Sequence, residues 1–150
     1  MRHVLAGVPT GIVVVAAATE SGIVGLSANS FTSVSLDPPL VSLSFAHTST
    51  TWPVLREAPR WGLSVLGEDQ QHVLQELRQS ADRRFDRLHV HVDAGAAFVS
   101  GALAQLTVEL DGEIEAGDHV LTLLRVVALD RDLRQHPLVF YGSGAHRLAH

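Results

Sequence analysis

The sequence predicts a mainly β protein whose strands form an antiparallel barrel, closed or partly closed. Two observations predict this class. Short apolar stretches, either continuous or alternating with small polar residues, recur along most of the 150 residues. Helical spacing of apolar residues, in contrast, is confined to two short segments. Many short strands with few helices are typical of barrels, which close on themselves to remove exposed strand edges.

Four strands are predicted in the first half of the chain. Residues 10–19 (TGIVVVAAAT) form a continuous apolar stretch typical of a buried strand, and residues 20–22 predict the turn into a second strand near residues 23–30. Residues 40–46 (LVSLSFA) alternate apolar and small polar side chains, as a half-buried strand does. Residues 61–66 predict a further strand.

The second half is also predicted to be extended. Strands are expected over residues 97–109, 112–115 and 119–130, with a short last strand over residues 137–141. Together with the first four, these strands are enough to form the wall of a barrel.

The two predicted helices are short. Residues 50–56 predict one helix with Ser49 as its N-cap. Residues 68–79 predict the other, since Val73, Leu74 and Leu77 fall on one stripe. The segment Asp37-Pro38-Pro39 must form a turn or an edge, because neither proline can donate a hydrogen bond to a sheet.

Composition predicts one compact soluble domain over residues 1–150, with 46% hydrophobic and 18% charged residues. The formal charge is −5, and the only basic cluster is Arg83, Arg84 and Arg87, so no nucleic-acid partner is expected. No apolar run approaches the ~20 residues that span a bilayer, so no membrane partner is expected. The first residues lack the pattern of a signal segment, and a cytoplasmic location is the simplest interpretation.

Two missing residue types restrict the chemistry. The chain has no cysteine, and all 11 of its lysine-plus-arginine residues are arginine. Thiolate, iron–sulfur and Schiff-base chemistry, and the lysine of a P-loop, are therefore excluded. Any redox chemistry must come from an organic cofactor.

The segment between Ser27 and Thr51 is unusually rich in hydroxyl groups, since 11 of its 25 residues are serine or threonine. Hydroxyls and loop amides suit phosphate oxygens and the polar edge of a flavin ring, and Asn29 offers both a donor and an acceptor. The alternative is that these residues simply occupy exposed strand faces and turns. His119, which begins an apolar strand, could bind a nucleotide or a nicotinamide amide, or could serve a turn.

Other chemistries find weaker support. His89 and His91 would share a strand face, but no third ligand stands at a diagnostic spacing, so no metal site is expected. The alternating Glu109, Asp111 and Glu113, continued by Glu115, indicate a solvated strand face rather than an acid–base pair. No nucleophile elbow is present, because the segment GLSAN lacks the second glycine.

Taken in order, several segments resemble the flavin reductase-like family of FMN-binding split barrels. The most specific are residues 25–41 (GLSANSFTSVSLDPPLV) and, about 80 residues later, Gly117-Asp118-His119. The opening Pro9-Thr10-Gly11, residues 47–55 (HTSTTWPVL), the pair Arg84-Phe85 and residues 137–141 (PLVFY) extend the resemblance over nearly the whole chain. The resemblance implies a six-stranded antiparallel Greek-key split barrel with a few short flanking helices.

The resemblance also implies roles for matched positions. The flavin ring would be lined by Ser27, Ala28, Asn29, Ser30, Ser33 and Val34. Ser49 and Thr51 would hold the flavin phosphate, and Arg84 and Phe85 would close over the flavin tail and ring. His119 would be the catalytic residue facing the nicotinamide, with Tyr141 nearby.

The implied activity is reduction of FMN or FAD by NADH or NADPH, with reduced flavin passed from a homodimer to a partner flavin-dependent monooxygenase. Such chemistry needs positioning rather than a nucleophile or a strong acid. Two alternatives stay open: a protein of the same fold that retains its flavin and reduces ferric iron or a corrinoid, and a non-catalytic flavin carrier. The sequence leaves the choices between FMN and FAD, and between NADH and NADPH, open.

Overall fold

A computed structural model describes residues 1–149 of the chain and confirms the mainly β class. The three helices of this part are short: α1 (Arg2–Leu5), α2 (Trp52–Glu57) and α3 (Gln71–Glu76). Its twelve strands are β1 (Thr10–Gly11), β2 (Val13–Thr19), β3 (Gly22–Ala28), β4 (Thr32–Leu36), β5 (Pro39–Ala46), β6 (Trp61–Val65), β7 (Val90–Asp93), β8 (Ala96–Val99), β9 (Ala104–Ala116), β10 (His119–Arg131), β11 (Leu138–Tyr141) and β12 (Gly144–Arg147).

Six strands enclose the main core, and they pair antiparallel in the order β3-β2-β6-β9-β10-β5. Their inward side chains, with Trp52 and Leu55 of α2, form one buried cluster around Trp61, Leu63 and Phe45. The six strands expected for the barrel match this wall, and the strand count of the described chain is higher because six further short strands extend or flank it.

Both faces of β2 are buried, which explains its continuous apolar sequence. Val13, Val15 and Ala17 belong to the barrel core, whereas Val14 belongs to a second cluster on the outer face. That second cluster includes Val73 and Leu77 of the α3 region, so the predicted helical stripe packs against the outside of the barrel. A strand buried on both sides does not show polar alternation.

The prediction of one helix over residues 68–79 was too long. The backbone N–H of Glu68 donates to the carbonyl of His136, and Gly67 pairs with Pro137 in a β-bridge. The backbone of residues 67 and 68 is therefore paired with residues 136 and 137 as in a sheet. The Gln70 side chain accepts a hydrogen bond from the Gly67 N–H at 3.0 Å. The helix therefore begins only at Gln71.

The prediction of one strand over residues 97–109 was also wrong. The chain leaves β8 at Val99 and turns through Gly101, which has a φ of 80°. It re-enters the sheet as β9, which also absorbs the separately predicted residues 112–115. The turn is required because β8 pairs with β7 and β2, whereas β9 pairs with β6 and β10.

The prediction of a turn or edge at Asp37-Pro38-Pro39 was right, since Leu36 and Pro39 face each other across the β4–β5 turn and β4 is an edge strand. The short strands β4, β7 and β12 and the helix α1 were not predicted. Each is too short to establish a period of its own. No helix of residues 1–149 is both long and apolar enough to cross a bilayer.

Candidate functional site

The six-stranded wall has an open seam between its two outer members, β3 and β5, which are not paired with each other. Ser30 bridges this seam. Its hydroxyl accepts a hydrogen bond from the backbone N–H of Ser44 at 3.0 Å and lies 3.3 Å from the Ser44 carbonyl oxygen. This contact links the chain after β3 to β5 and continues the β4–β5 pairing by one step.

A cavity of about 250 Å³, here called the seam cavity, lies along this opening. It brings together six of the residues predicted to bind a cofactor, and these are Ser27, Ala28, Asn29, Ser30, Ser49 and His119. The remaining wall comes mainly from β5, through Ser44, Phe45 and Ala46. The result is a concave site with a hydroxyl-rich rim and an apolar floor, which is the usual construction of a small-molecule site.

His119 stands at the first position of β10, between Ala46 of β5 and Ala116 of β9. Its Nδ1 lies 2.6 Å from Oδ1 of Asp118, and its side chain is 45% exposed. The hydrogen bond with His119, followed by the attraction of that ring, holds the pKa of Asp118 below its usual range. An ionised Asp118 accepts the Nδ1 hydrogen, which leaves Nε2 as the nitrogen available to a ligand.

A second cavity of about 460 Å³ adjoins the first, because the two are lined by consecutive stretches of β3 and of the loop before α2. We call it the hairpin cavity, after the β2–β3 hairpin that forms one wall. Its lining residues are Ser21, Gly22, Ile23, Val24, Gly25, Thr50, Thr51, Val54, Ala81, Asp82, Arg84, Phe85 and Asp86. Thr51, Arg84 and Phe85, three further predicted residues, meet here.

Arg84 joins the walls of the hairpin cavity. One terminal nitrogen of its guanidinium donates to the Gly25 carbonyl oxygen and to the Thr51 hydroxyl, both at 2.9 Å. Its Nε is buried and has no acceptor among the described residues. A buried charged donor without a partner is costly, so an acceptor beside this nitrogen would stabilise the site.

Ser49 and Thr51 differ in what they do at the start of α2. The Ser49 hydroxyl accepts a hydrogen bond from the Trp52 N–H at 3.1 Å, as the predicted cap does, although the helix formally begins after Thr51. Thr51 is only 5% exposed, and its hydroxyl accepts from Arg84. Both hydroxyls therefore support the walls of the two cavities.

Three predicted residues lie outside these two cavities. Ser33 and Val34 belong to the edge strand β4, where the pairing with β5 shifts register between Ser33 and Ser35. Both are exposed, as is Tyr141 on β11.

Sequence reasoning also missed a third cavity of about 290 Å³ on the other side of Ser27–Asn29, which is lined by Ile12, Leu74, Leu77, Arg78 and Phe140. Its residues are ordinary core and helix positions in sequence, so only the fold reveals it.

The acidic alternation on β9 has a structural role. Arg60 pairs with Glu109 at 3.0 Å, Arg125 with Asp111 at 3.0 Å, and Arg56 with Glu113 at 2.5 Å. Among residues 1–149, no group of three or more histidine and carboxylate side chains could hold a metal ion.

The residues that line the cavities lie within a sequence pattern shared with known proteins. The sequence profile of the flavin reductase like domain matches residues 5–149, which include every wall described above. The chain belongs to the flavin reductase-like family.

Relatives of this flavin reductase-like domain share most of its length. The NADH:FMN oxidoreductase of Rhodococcus qingshengii is 36% identical over 145 residues, covering 93% of this chain and 76% of the relative. The NADH:FAD oxidoreductase SgcE6 of Streptomyces globisporus C-1027, solved with NAD and FAD fragments, superposes with a TM-score of 0.92 at 31% identity, covering 99% of this chain and 90% of SgcE6. The styrene monooxygenase flavin reductase of Pseudomonas putida S12 superposes with a TM-score of 0.89 at 32% identity, covering 99% and 97%.

Proposed function

We propose that this chain is an NADH-dependent flavin reductase that supplies reduced flavin to a partner monooxygenase. The observation that carries the proposal is the pair of adjoining cavities, one with a hydroxyl-rich rim and His119, the other with the buried, unpartnered Nε of Arg84. A flavin has the same two parts, a polar-edged ring and a phosphate tail. The named relatives, an NADH:FMN and an NADH:FAD oxidoreductase, support the assignment.

The seam cavity suits the isoalloxazine ring. Ser27 and Asn29 line it with groups that donate and accept hydrogen bonds, the Ser30 hydroxyl is held by the Ser44 backbone, and its floor includes the buried ring of Phe45. The ring edge presents alternating donors and acceptors, which neutral amide and hydroxyl groups match without the cost of burying a charge.

The phosphate would lie where the two cavities meet, within reach of Arg84 and Thr51. The Nε–H of Arg84 would then gain the acceptor that it lacks in the chain alone. Because Arg84 is already anchored on Gly25 and Thr51, it needs little reordering on binding. A preorganised guanidinium gives more affinity than a flexible one.

His119 would hold the nicotinamide against the ring. The flavin supplies a hydride acceptor and NADH supplies the hydride. Asp118 fixes the imidazole through Nδ1, so that Nε2 can accept a hydrogen bond from the carboxamide of the nicotinamide. This contact aligns the two rings at ~3–3.5 Å, which is catalysis by positioning.

We also propose that the protein acts as a homodimer in the cytoplasm, where NADH is produced. Val127 and Leu129 are 43% and 72% exposed on the part of β10 that extends beyond its pairing with β5, where they present an apolar surface. A second copy would cover this apolar face. Sedimentation of the wild type as a dimer, and of Leu129→Arg as a monomer, is the expected result; a monomeric wild type would contradict the dimer.

The test of the function is NADH oxidation by the purified chain, followed by NADH absorbance, with FMN, with FAD and without added flavin. We expect turnover that depends on added flavin. Turnover of a flavin that stays bound, with ferric iron or a corrinoid as acceptor, would favour the flavin-retaining alternative. Flavin binding without NADH oxidation would leave only a carrier and refute the proposal.

A further inference from the structure

The third cavity, on the far side of Ser27–Asn29 from the seam cavity, continues into a fourth. The fourth has a volume of about 260 Å³ and shares Leu74, Arg78 and Phe140 with the third, so the two form one depression. We call this depression the α3 groove, because the α3 segment lines one side of it and the β11–β12 hairpin lines the other.

The α3 groove carries a positive charge in a chain whose net charge is −5. Arg78 lines both of its parts, and none of the described residues that line it is an aspartate or a glutamate. The Arg78 side chain is exposed and makes no hydrogen bond or ion pair within residues 1–149, whereas Arg60 and Arg125 on the barrel wall are each paired with a carboxylate. The Arg78 guanidinium is therefore available to the carboxylate of a ligand, which it can bind through two parallel hydrogen bonds.

The other walls of the α3 groove are apolar or neutral. Leu74 and Phe140 are partly buried and line both parts, so an aromatic ring can bury its faces against them. Gln71 and Gln75 line one end and Asn29 the other, and their amide groups donate and accept hydrogen bonds without carrying a charge. An apolar trough with a few polar groups and one cation suits a flat apolar molecule that carries an anionic group.

The contacts proposed for flavin and nicotinamide leave the α3 groove free. The ring and the nicotinamide are assigned to the seam cavity, on the side of Ser27–Asn29 that faces His119. The flavin phosphate is assigned to the junction with the hairpin cavity, which shares none of its described lining residues with the α3 groove. A ligand of the α3 groove is therefore a separate molecule.

We infer that the α3 groove binds a small organic anion with a flat apolar body, of the class of aromatic carboxylates. Arg78 holds the carboxylate, and Phe140 and Leu74 cover the ring. The bound anion and the flavin ring would contact the same segment, Ser27–Asn29, from its two sides. This site goes beyond the proposed function, and its test needs neither flavin nor NADH.

The test uses naphthoate as the probe, with naphthamide as the matched neutral compound that has the same rings. Calorimetric titration of the wild type with naphthoate should give a dissociation constant on the order of 0.1 mM, as expected for a small ligand held by one ion pair and one aromatic wall. Naphthamide should bind roughly tenfold more weakly or worse, because it cannot form the charge-assisted pair with Arg78.

Three variants locate the site. Arg78→Gln should weaken naphthoate binding about 10- to 100-fold and should leave naphthamide binding nearly unchanged. The control Arg83→Gln removes the same charge from an exposed side chain that does not line the α3 groove, and it should change neither affinity. Phe140→Leu should weaken both compounds, because the flat wall serves the ring and not the charge. Arg78 and Arg83 are both exposed, so their glutamine variants should fold.

Absence of naphthoate binding to the wild type, or equal losses for Arg78→Gln and Arg83→Gln, would overturn the inference. Displacement of naphthoate by an equal concentration of ADP would also overturn it, because the α3 groove would then hold the ADP part of NADH. Naphthoate that stays bound in the presence of ADP would support a separate anion. None of these results depends on NADH oxidation with added flavin, so a failure of this inference and a failure of the proposed function are distinguishable.

Discussion

Replacement of Arg84 by alanine tests the link between the two cavities. In the structure this guanidinium makes two hydrogen bonds of 2.9 Å and has one buried N–H without an acceptor. We expect Arg84→Ala to weaken FMN binding, because the phosphate loses a charge-assisted hydrogen bond worth about 1.5–3 kcal/mol. This corresponds to roughly a 10- to 150-fold increase in the dissociation constant.

The same substitution should also destabilise the fold. Gly25 is buried, and its carbonyl oxygen would lose the Arg84 contact. An unsatisfied buried acceptor costs about 1–3 kcal/mol, so the melting temperature should fall by several degrees. Binding must therefore be measured well below the new melting temperature.

The matched control is Arg83→Ala, which removes the same charge one residue earlier from an exposed side chain. Titration of FMN by calorimetry should show a large loss for Arg84→Ala and a small one for Arg83→Ala, the latter reporting only long-range attraction, which salt screens. Arg84→Lys should recover part of the affinity, since it restores the charge without the planar fork. Equal losses for Arg83→Ala and Arg84→Ala would refute the placement of the phosphate.

Three further predictions concern the reaction and the fold. In steady-state kinetics, His119→Ala should raise the KM for NADH at least about tenfold more than it raises the KM for flavin. Asp118→Asn should have a smaller effect of the same kind. Equal effects on the two KM values would contradict the nicotinamide role of His119. Hydrogen bonds from Arg134 hold the pKa of Asp132 below the ordinary 3.8, so its contribution to stability should be complete above pH 3.8 and disappear as the pH falls below it. The difference in melting temperature between wild type and Asp132→Asn should therefore narrow below pH 3.8. A difference that stays constant as the pH falls would contradict this prediction. Gly62→Ala should lower the free energy of unfolding by about 1–3 kcal/mol, because the new methyl group would overlap the Ala97 carbonyl oxygen. Unfolding in urea measures this loss, and an unchanged urea midpoint would show that β6 and β8 separate easily.

The main strands were predictable because each has enough residues to show its own pattern. Residues 40–46 alternate as β5 does, and the continuous apolar stretch of β2 indicates burial on both faces. The start of α3 and the break between β8 and β9 were not predictable. Both depend on hydrogen bonds with partners distant in sequence, such as Glu68 with His136 and Leu103 with Val65.

The site shows the same division. Residues 25–41 and Gly117-Asp118-His119 indicate the family through their resemblance to it, and the family's sequence profile matches residues 5–149. The double anchoring of Arg84, the Ser30 bridge and the α3 groove have no counterpart in any local sequence pattern, since each depends on segments that meet only in the folded chain.

By itself, the sequence determined the β class through local periodicity and the residue types of the site through side-chain chemistry, and its motifs determined the family through their resemblance to known members. Only the tertiary structure decided which of those residues meet. Ser33, Val34 and Tyr141 lie apart from the cavities, whereas Arg84 reaches Gly25, 59 positions away. The physical reason is that a strand's pattern is set by its neighbours in the chain, but a cavity is set by where strands pair and where, as between β3 and β5, they do not.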